Sequence, residues 1–212
     1  MKLYHVILTD EIRTGTEIEL EPKVPLYLGY KENTTIKRVC FAPTILQCVM
    51  AISYWKEYFE PGYEEMTSFN EQLPSKIITV LEIDTEEYEG SLITPQELYE
   101  MEATEDCMVI DEYWVTKPVI GKAKQILVDG VLEEENHHNF VIFYKSVEEE
   151  LMSLLKESNP FNMNLVVAVN KNLVPLNCLF ALDNKIGWYE GLSKIIINGV
   201  EERHPIFDGG RW

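Results

Sequence analysis

The chain has 212 residues, of which 46% are hydrophobic and 11% are aromatic. This is enough to bury a substantial core in one domain, or in one domain with a sizeable extension. Asp and Glu number 36 against 18 Lys and Arg, which gives a formal net charge of −18. Because so acidic a surface repels the phosphates of nucleic acids and of anionic membranes, we expect neither as a direct partner.

The sequence carries no targeting or redox signal. No apolar run approaches the roughly 18 residues that a membrane span needs, and the N-terminus lacks the basic and apolar regions of a signal peptide. The cysteines are widely spaced, without a Cys-x-x-Cys pair: Cys40, Cys48, Cys107 and Cys178. This spacing favours buried free thiols over disulfides or a zinc site. We therefore expect a cytoplasmic protein without a metal.

The N-terminal segment LYHVIL, residues 3–8, is a short apolar run that predicts a β-strand and contains His5. Taken alone, His5 is most simply interpreted as an ordinary strand histidine that faces solvent or a local partner. Residues 9–35 are polar and interrupted by Gly and Pro, which predicts a long loop. That loop carries Tyr27 and Tyr30.

A strand followed at once by a helix is predicted next. The strand is TIKRVCFA, residues 35–42. The helix is expected from Thr44 to Phe59, because Thr44 and Gln47 form a capping-box pattern and Pro61-Gly62 stops it. Its apolar residues cover most faces, so we expect it to be largely buried.

The middle of the chain mixes strands with one strongly signalled helix. KIITVLEID, residues 76–84, alternates and predicts a strand. ITPQELYEM begins a helix with Thr94 as the cap and Glu97 closing the capping box. Residues 107–119 (CMVIDEYWVTKPV) predict a strand pair or one bent strand, and Asp129-Gly130 predicts a hairpin turn.

The last third repeats this style without repeating the sequence. NFVIFYK and NLVVAVN predict strands, SVEEELMSLLKES predicts a helix, and VPLNCLFAL and KIIINGV are further strand candidates. The polar segment at residues 133–138 separates this part from the rest. We therefore expect a domain at 1–132, an α+β extension of unknown role at 133–212, and an α+β fold rich in antiparallel strands.

Three short segments occur in a particular order. They are YHV, with Tyr4 and His5; VCFAPTILQCVMAI, a strand running into a capped helix; and DEYWV, with Glu112 at the start of a β-rich segment. That order resembles the ADP-ribosyltransferase superfamily, in the branch shared by diphtheria-like toxins and poly(ADP-ribose) polymerases. The resemblance covers roughly residues 1–130 and implies a mostly antiparallel split sheet with a few helices.

The resemblance also implies roles for single residues, with NAD as the substrate. His5 would hydrogen-bond a ribose hydroxyl of NAD. Glu112 would be the catalytic carboxylate that stabilises the oxocarbenium-like state as nicotinamide leaves. The family tyrosine that stacks on nicotinamide falls on Cys40, whereas Phe41 and Ala42 match their neighbours. A cysteine supplies no aromatic platform.

Further binding residues are assigned around this departure from the family pattern. Tyr27, Tyr30 or Tyr54 would supply the missing ring, or else the nicotinamide pocket is changed or inactive. Lys37 and Arg38 are two of the few basic residues in the first half, and they would face the pyrophosphate.

The leading expectation is therefore NAD-dependent transfer of ADP-ribose to a macromolecular acceptor, or hydrolysis of NAD. One alternative is a non-catalytic acidic protein that binds a basic partner, or an inhibitor that mimics nucleic acid. Another is an inactive transferase-like fold that binds NAD or ADP-ribose, since a fold does not guarantee activity. The expected partners are NAD with a protein acceptor, or a basic protein.

Overall fold

This computed structural model describes residues 1–25, 32–52, 55–59, 75–104, 107–131, 139–144, 165–169, 172–176, 186–191 and 194–203. Within these ranges the chain forms fourteen β-strands and four short α-helices. The strand pairs are antiparallel except for one parallel pair. The expected α+β class, rich in antiparallel strands, is confirmed.

The largest sheet has five antiparallel strands, in the spatial order β1 (Lys2–Ile7), β4 (Lys76–Asp84), β8 (Lys124–Val131), β13 (Lys194–Ile197) and β14 (Val200–Arg203). Val6 lies opposite Val80 on one face, within an apolar core that also contains Ile195. Leu3 lies opposite Ile83 in a second core, because successive side chains of a strand point to opposite faces. The sheet is therefore covered on both sides near β1.

A second sheet has three strands, in the order β3 (Val39–Phe41), β6 (Tyr113–Val115) and β5 (Leu92–Ile93). It meets the largest sheet at a single bridge between Tyr4 and Ala42. Tyr4 N–H donates to Ala42 O at 2.8 Å, and Ala42 N–H donates to Tyr4 O at 3.0 Å. We call this bridge the sheet junction.

A two-stranded ribbon crosses residues that the sequence predicted as loop. β2 (Glu17–Leu20) pairs antiparallel with β7 (Val119–Lys122), so the prediction of a continuous loop over residues 9–35 is wrong at this point. The segment EIEL alternates charged and apolar residues, as a half-buried strand does, but it is only four residues long and its partner lies about a hundred positions away. At Gly121 in β7, an added Cβ would lie 2.7 Å from Leu81 Cδ1, so glycine permits this close approach.

The helices are α1 (Ile45–Met50), α2 (Trp55–Phe59), α3 (Pro95–Glu100) and α4 (Cys107–Ile110), with a 3-10 helix at Thr85–Tyr88. The predicted caps are confirmed: Thr44 accepts from Gln47 N, and Thr94 with Glu97 forms the full capping box. The single helix expected from Thr44 to Phe59 is instead two described helices. The strand expected at residues 107–110 is a helical turn, because a four-residue apolar run carries no periodicity that separates the two structures.

The predicted hairpin at Asp129-Gly130 is also wrong, since β8 continues through both residues. The tight turn lies instead at Asn198-Gly199, between β13 and β14, where φ is 48° and 77°. Both residues occupy the left-handed region that a two-residue hairpin turn of this kind requires.

A separate four-stranded sheet has the order β11 (Asn172–Leu176), β10 (Leu165–Val169), β9 (Asn139–Tyr144), β12 (Ile186–Gly191). The strands predicted at NFVIFYK and NLVVAVN are thereby confirmed, whereas the helix predicted at SVEEELMSLLKES lies outside the described residues. The expected extension at 133–212 thus divides between this sheet and β13–β14, which belong to the largest sheet. None of the helices described here is long and apolar enough to cross a membrane.

Candidate functional site

Three distant segments meet in one cavity beside the sheet junction. His5 lies on β1 next to Tyr4, and Cys40 lies on β3 close to Ala42. Strand β6 pairs with β3, so that the residue before it, Glu112, reaches the same place. The cavity has a volume of about 160 Å³ and is lined by His5, Cys40 and Glu112 together with apolar residues, among them Val6, Phe41, Ala42, Ile52 and Ile110.

The backbone turn at the end of α4 places Glu112. Asp111 adopts φ 49°, and the N–H of Glu112 donates to the carbonyl of Cys107 at 2.9 Å. A left-handed residue followed by this long-reaching bond is the Schellman ending of a helix. It turns the chain sharply from helix to strand and leaves Glu112 buried, with 7% of its surface exposed.

The imidazole of His5 is held by a backbone carbonyl. Its Nδ1 lies 2.8 Å from Cys40 O, and a carbonyl only accepts, so Nδ1 carries the proton. Burial lowers the pKa of His5 from its ordinary value, and the bond to Cys40 opposes that shift only in part. The ring is therefore neutral at pH 7, and Nε2 is left as a hydrogen-bond acceptor.

The thiol of Cys40 remains protonated. Burial raises its pKa well above the usual value, and the neighbouring carboxylate of Glu112 raises it further, whereas Arg38 acts in the opposite direction. The Glu112 carboxylate lines the same cavity as this thiol. Because only a thiolate is an effective nucleophile, Cys40 is not a reactive residue in this site.

Arg38 lies behind Cys40 in the protein interior, and not on the surface as an exposed contact for pyrophosphate. Its side chain has no exposed surface and pairs with the carboxylate of Glu32. It donates to the carbonyls of Asn33 and Ile36, both at 3.0 Å, and stacks 3.8 Å from the ring centroid of Trp114. A pyrophosphate reaches this guanidinium only if some of these contacts break.

Lys37 and Arg38, which the sequence assigns together, have different environments. Lys37 is exposed, so of this pair only Lys37 has a solvent-accessible charge. Tyr4, the neighbour of His5 in the YHV motif, packs its side chain against the apolar core that contains Val6 and Ala42, and its backbone forms the sheet junction.

The tyrosines considered as substitutes for the missing family ring lie outside the described residues: Tyr27, Tyr30 and Tyr54. The described residues next to them do line the cavity. Pro25 and Glu32 flank the segment that contains the first two, and Ala51 and Ile52 immediately precede residues 53–54. All of these flanking positions are therefore at the site.

Glu202 is a residue of this region that the sequence did not indicate. Its carboxylate accepts from the N–H of Leu46 at 3.1 Å, and so caps α1 from the far end of the chain. Burial raises the pKa of Glu202, and hydrogen bonds from the N–H groups of Leu46 and Ile45 oppose the shift. Helix α1 in turn contributes Cys48 to the cavity, with its thiol donating to Tyr4 O at 2.9 Å.

The cavity combines the carboxylates of Glu32 and Glu112 and a neutral imidazole acceptor with apolar walls. Its volume is similar to that of apolar cavities of about 150 Å³ that hold one benzene molecule. Such a site suits a flat ring together with hydroxyl or amide donors. Over the described ranges, no group of three or more His, Cys, Asp or Glu side chains is arranged to hold a metal ion.

No protein-family profile, curated protein or solved structure matches the chain. Function is therefore inferred from the cavity itself and from the order of the three motifs that line it.

Proposed function

We propose that the chain binds NAD at the sheet junction, with the nicotinamide end in the cavity, and cleaves the bond between nicotinamide and ribose. ADP-ribose then passes to a macromolecular acceptor or to water. The observation that carries the proposal is that His5, Cys40 and Glu112, at the three motif positions, line a single cavity. These residues are 35 and 72 positions apart in sequence, so the fold brings them together and not their local sequence. The split sheet of the transferases is part of this proposal, and the meeting of two sheets at one bridge supports it.

The chemistry follows from the charges around the cavity. When the glycosidic bond breaks, its electron pair leaves with nicotinamide and positive charge develops on the ribose. The Glu112 carboxylate, nearly excluded from water, stabilises that charge more strongly than a carboxylate in solution does. His5 Nε2 accepts from a ribose hydroxyl and holds the sugar, since its neutral ring has no proton at that nitrogen.

A binding module without turnover is the second candidate, and Cys40 is the observation that favours it. The motif position that should supply a ring supplies a protonated thiol, in the same cavity as the carboxylate that the reaction needs. In this alternative the cavity holds NAD or ADP-ribose and the bond is not cleaved.

The test compares nicotinamide release with NAD binding by calorimetry in the same variants. Glu112→Gln should keep binding within about threefold and lose about 100-fold in turnover, because its charge acts chiefly in the transition state. His5→Ala should weaken binding about tenfold, the value of one hydrogen bond. Glu19→Gln removes a carboxylate from an exposed position on β2 and is the matched control, with no effect expected.

Each outcome separates the candidates. Binding with release supports the transferase or hydrolase, and binding without release supports the module. Wild-type protein that neither binds NAD nor releases nicotinamide, with candidate acceptors present, contradicts both and favours the acidic protein with a basic partner.

A further inference from the structure

We infer that the open edge of strand β2 is a docking surface for an extended, basic segment of a partner protein. The segment adds a third strand to the two-stranded ribbon of β2 and β7. None of residues 17–21, which form this edge, lines the cavity at the sheet junction. The inference therefore goes beyond the proposed function and does not rest on it.

Strand β2 is paired along one edge only. Its partner there is β7, and on that side the N–H of Ala123 donates to Thr16 O at 2.8 Å. Because the backbone groups of successive strand residues point to alternate edges, the N–H and C=O of Glu17 and Glu19 point away from β7. Among the described residues, none forms a backbone hydrogen bond with Glu17 or Glu19 on that second edge. Unpaired backbone donors and acceptors in a row are a template for a further strand.

The open edge is short. Shortly after Glu21 the chain is paired again, because Lys23 N–H donates to Arg38 O at 3.1 Å and Arg38 N–H donates to Lys23 O at 3.0 Å. The edge that a partner can use is therefore limited to residues 17–21. It has room for an extended segment of about five residues, since strands that pair have the same rise per residue.

The side chains along this edge alternate between solvent and core. Glu17, Glu19 and Glu21 are exposed, whereas Leu20 packs against a hydrophobic core. On the exposed face, Ile120 of β7 lies opposite Glu19 and has 56% of its surface exposed. A lysine or arginine that pairs with a carboxylate of this face can cover such apolar surface with its aliphatic stem. The face thus offers both charge and apolar contact to a basic side chain.

The charges of this edge select the partner. Side chains directly opposite each other on neighbouring strands interact, so that opposite charges stabilise the pairing and like charges destabilise it. A second copy of β2, paired antiparallel, would place glutamates opposite glutamates. A segment with lysine or arginine at every second position places a cation opposite each carboxylate instead, and the net charge of −18 attracts such a segment from a distance.

Two lysines lie at the ends of the row of glutamates. Lys122 of β7 is opposite Glu17, and Lys23 follows Glu21 along the chain. The charge that no neighbouring cation balances is therefore centred on Glu19, in the middle of the open edge. A basic side chain of the partner is expected to contribute most at this position.

The probe is the peptide Lys-Val-Lys-Val-Lys with blocked ends, added to the wild-type protein at about 0.15 M ionic strength and followed by NMR, which detects weak binding. The amide protons of Glu17 and Glu19 should exchange with solvent more slowly when the peptide is present, because they gain a partner. Those of Ile18 and Leu20, which point to β7, should change little. Equal binding of Glu-Val-Glu-Val-Glu would overturn the selection by charge.

Methylated peptides test the pairing of the backbone without any change to the protein. In an antiparallel pair, the N–H groups of the lysines donate to β2 and those of the valines point to solvent. Methylation of the backbone nitrogen of every lysine should weaken binding about tenfold or more, through the loss of these hydrogen bonds. The same methylation of both valines is the matched control and should have little effect. Equal affinities of the two methylated peptides would mean attraction by charge alone and would overturn the inference.

Variants of the protein test the position of the surface, after thermal melting has shown each to be folded. The double variant Glu17→Lys, Glu19→Lys should bind the lysine peptide about tenfold more weakly, because two favourable cross-strand pairs become repulsive. Glu86→Lys with Glu89→Lys changes the net charge equally at two other exposed positions and should cause a much smaller loss. Equal losses in the two double variants would overturn the inference. A wild-type dimer in sedimentation that Glu17→Lys, Glu19→Lys abolishes would do so as well, and would assign the edge to a second copy of the chain.

Discussion

Two acidic residues, one of them directly before Glu112, adopt a backbone conformation that normally belongs to glycine. Asp111 has φ 49° and Glu102 has φ 53°, and each is the left-handed residue that ends a short helix. The following N–H closes the same kind of bond in both cases, from Glu112 to Cys107 O and from Ala103 to Leu98 O, at 2.9 Å. A residue with a Cβ is strained there, and such strain is often retained where a neighbouring side chain must be placed.

Replacement of Asp111 by Gly tests that interpretation. Asp111→Gly should raise the free energy of unfolding by about 0.5–1 kcal/mol through relief of strain. It should also lower nicotinamide release, because a glycine before Glu112 allows the carboxylate more orientations. Urea unfolding and the release assay are the measurements. Glu102→Gly is the control, which should stabilise the protein without changing turnover; a loss of stability in Asp111→Gly would contradict the strain.

The site residues that the sequence identified share one property: each belongs to a short motif that can be recognised without its partners. His5, Cys40 and Glu112 were found in this way, and the structure places them in one cavity. The sequence assigned Arg38 to the pyrophosphate and did not indicate that its side chain is buried. Its burial depends on Glu32 and Trp114, and no local pattern indicates that these meet it.

At the scale of elements, the first turn of α1 combines a local cap with a distant one. Thr44 accepts from Gln47 N, as the sequence predicts. The N–H group of Leu46 is satisfied by Glu202, a residue of β14. The first N–H groups of a helix have no partner within it, so this distant carboxylate completes the cap.

The charge state of Glu202 should therefore be visible in stability. Glu202→Ala should cost about 1–2 kcal/mol through loss of the cap, while Glu202→Gln keeps an acceptor oxygen. Burial raises the pKa of Glu202 in the folded state, so the native protein retains this proton to higher pH than the unfolded chain does. The free energy of unfolding of the wild type, relative to Glu202→Gln, should then fall as pH rises from the ordinary glutamate pKa through the raised one.

Urea unfolding of both proteins between about pH 4 and pH 8 measures this difference, with the window set by the ordinary glutamate pKa of about 4.3. If the difference in free energy of unfolding between the wild type and Glu202→Gln increases with pH instead, the backbone hydrogen bonds to Glu202 lower its pKa by more than burial raises it. Comparison with Glu201→Gln, on the exposed neighbour in β14, removes the general effect of one lost charge.

Elements with complete local signals were predicted well, and elements that depend on distant pairing were not. KIITVLEID forms β4 over the predicted residues, and α3 has the predicted cap. By contrast, β2 exists because β7 lies beside it, and residues 107–110 are helical because the turn at Asp111 is closed by Glu112 N–H. Tertiary partners decide such short segments.

At the scale of the whole molecule, the last two described strands, β13 and β14, belong to the same sheet as β1. β13 pairs with β8 and brings Ile195 into the core that contains Val6 and Val80. Ile195 has no exposed surface, whereas Val200 on the next strand is 70% exposed. The sheet beside the cavity therefore includes residues far beyond the boundary expected at residue 132.

Two substitutions, one on β13 and one on β14, measure how much these strands contribute to stability. Ile195→Ala should lower the free energy of unfolding by about 2–5 kcal/mol, because it leaves a cavity in a packed core. Val200→Ala should stay within about 0.5 kcal/mol of the wild type. Chemical unfolding followed by tryptophan fluorescence is the measurement. Equal effects of the two substitutions would show that the C-terminal strands contribute little to the first sheet.

The sheet junction has a kinetic consequence. At the sheet junction, the two sheets are joined by two backbone hydrogen bonds, donated by the amides of Tyr4 and Ala42. A ligand in the adjacent cavity would contact residues of both sheets. The exchange of these two amide protons with deuterium reports how often the hydrogen bonds of the sheet junction break. A ligand that spans the cavity should slow the exchange of these two protons more than that of amides in the centre of β4. Equal slowing of amide exchange throughout the protein would mean that the ligand stabilises the whole fold and not the sheet junction in particular.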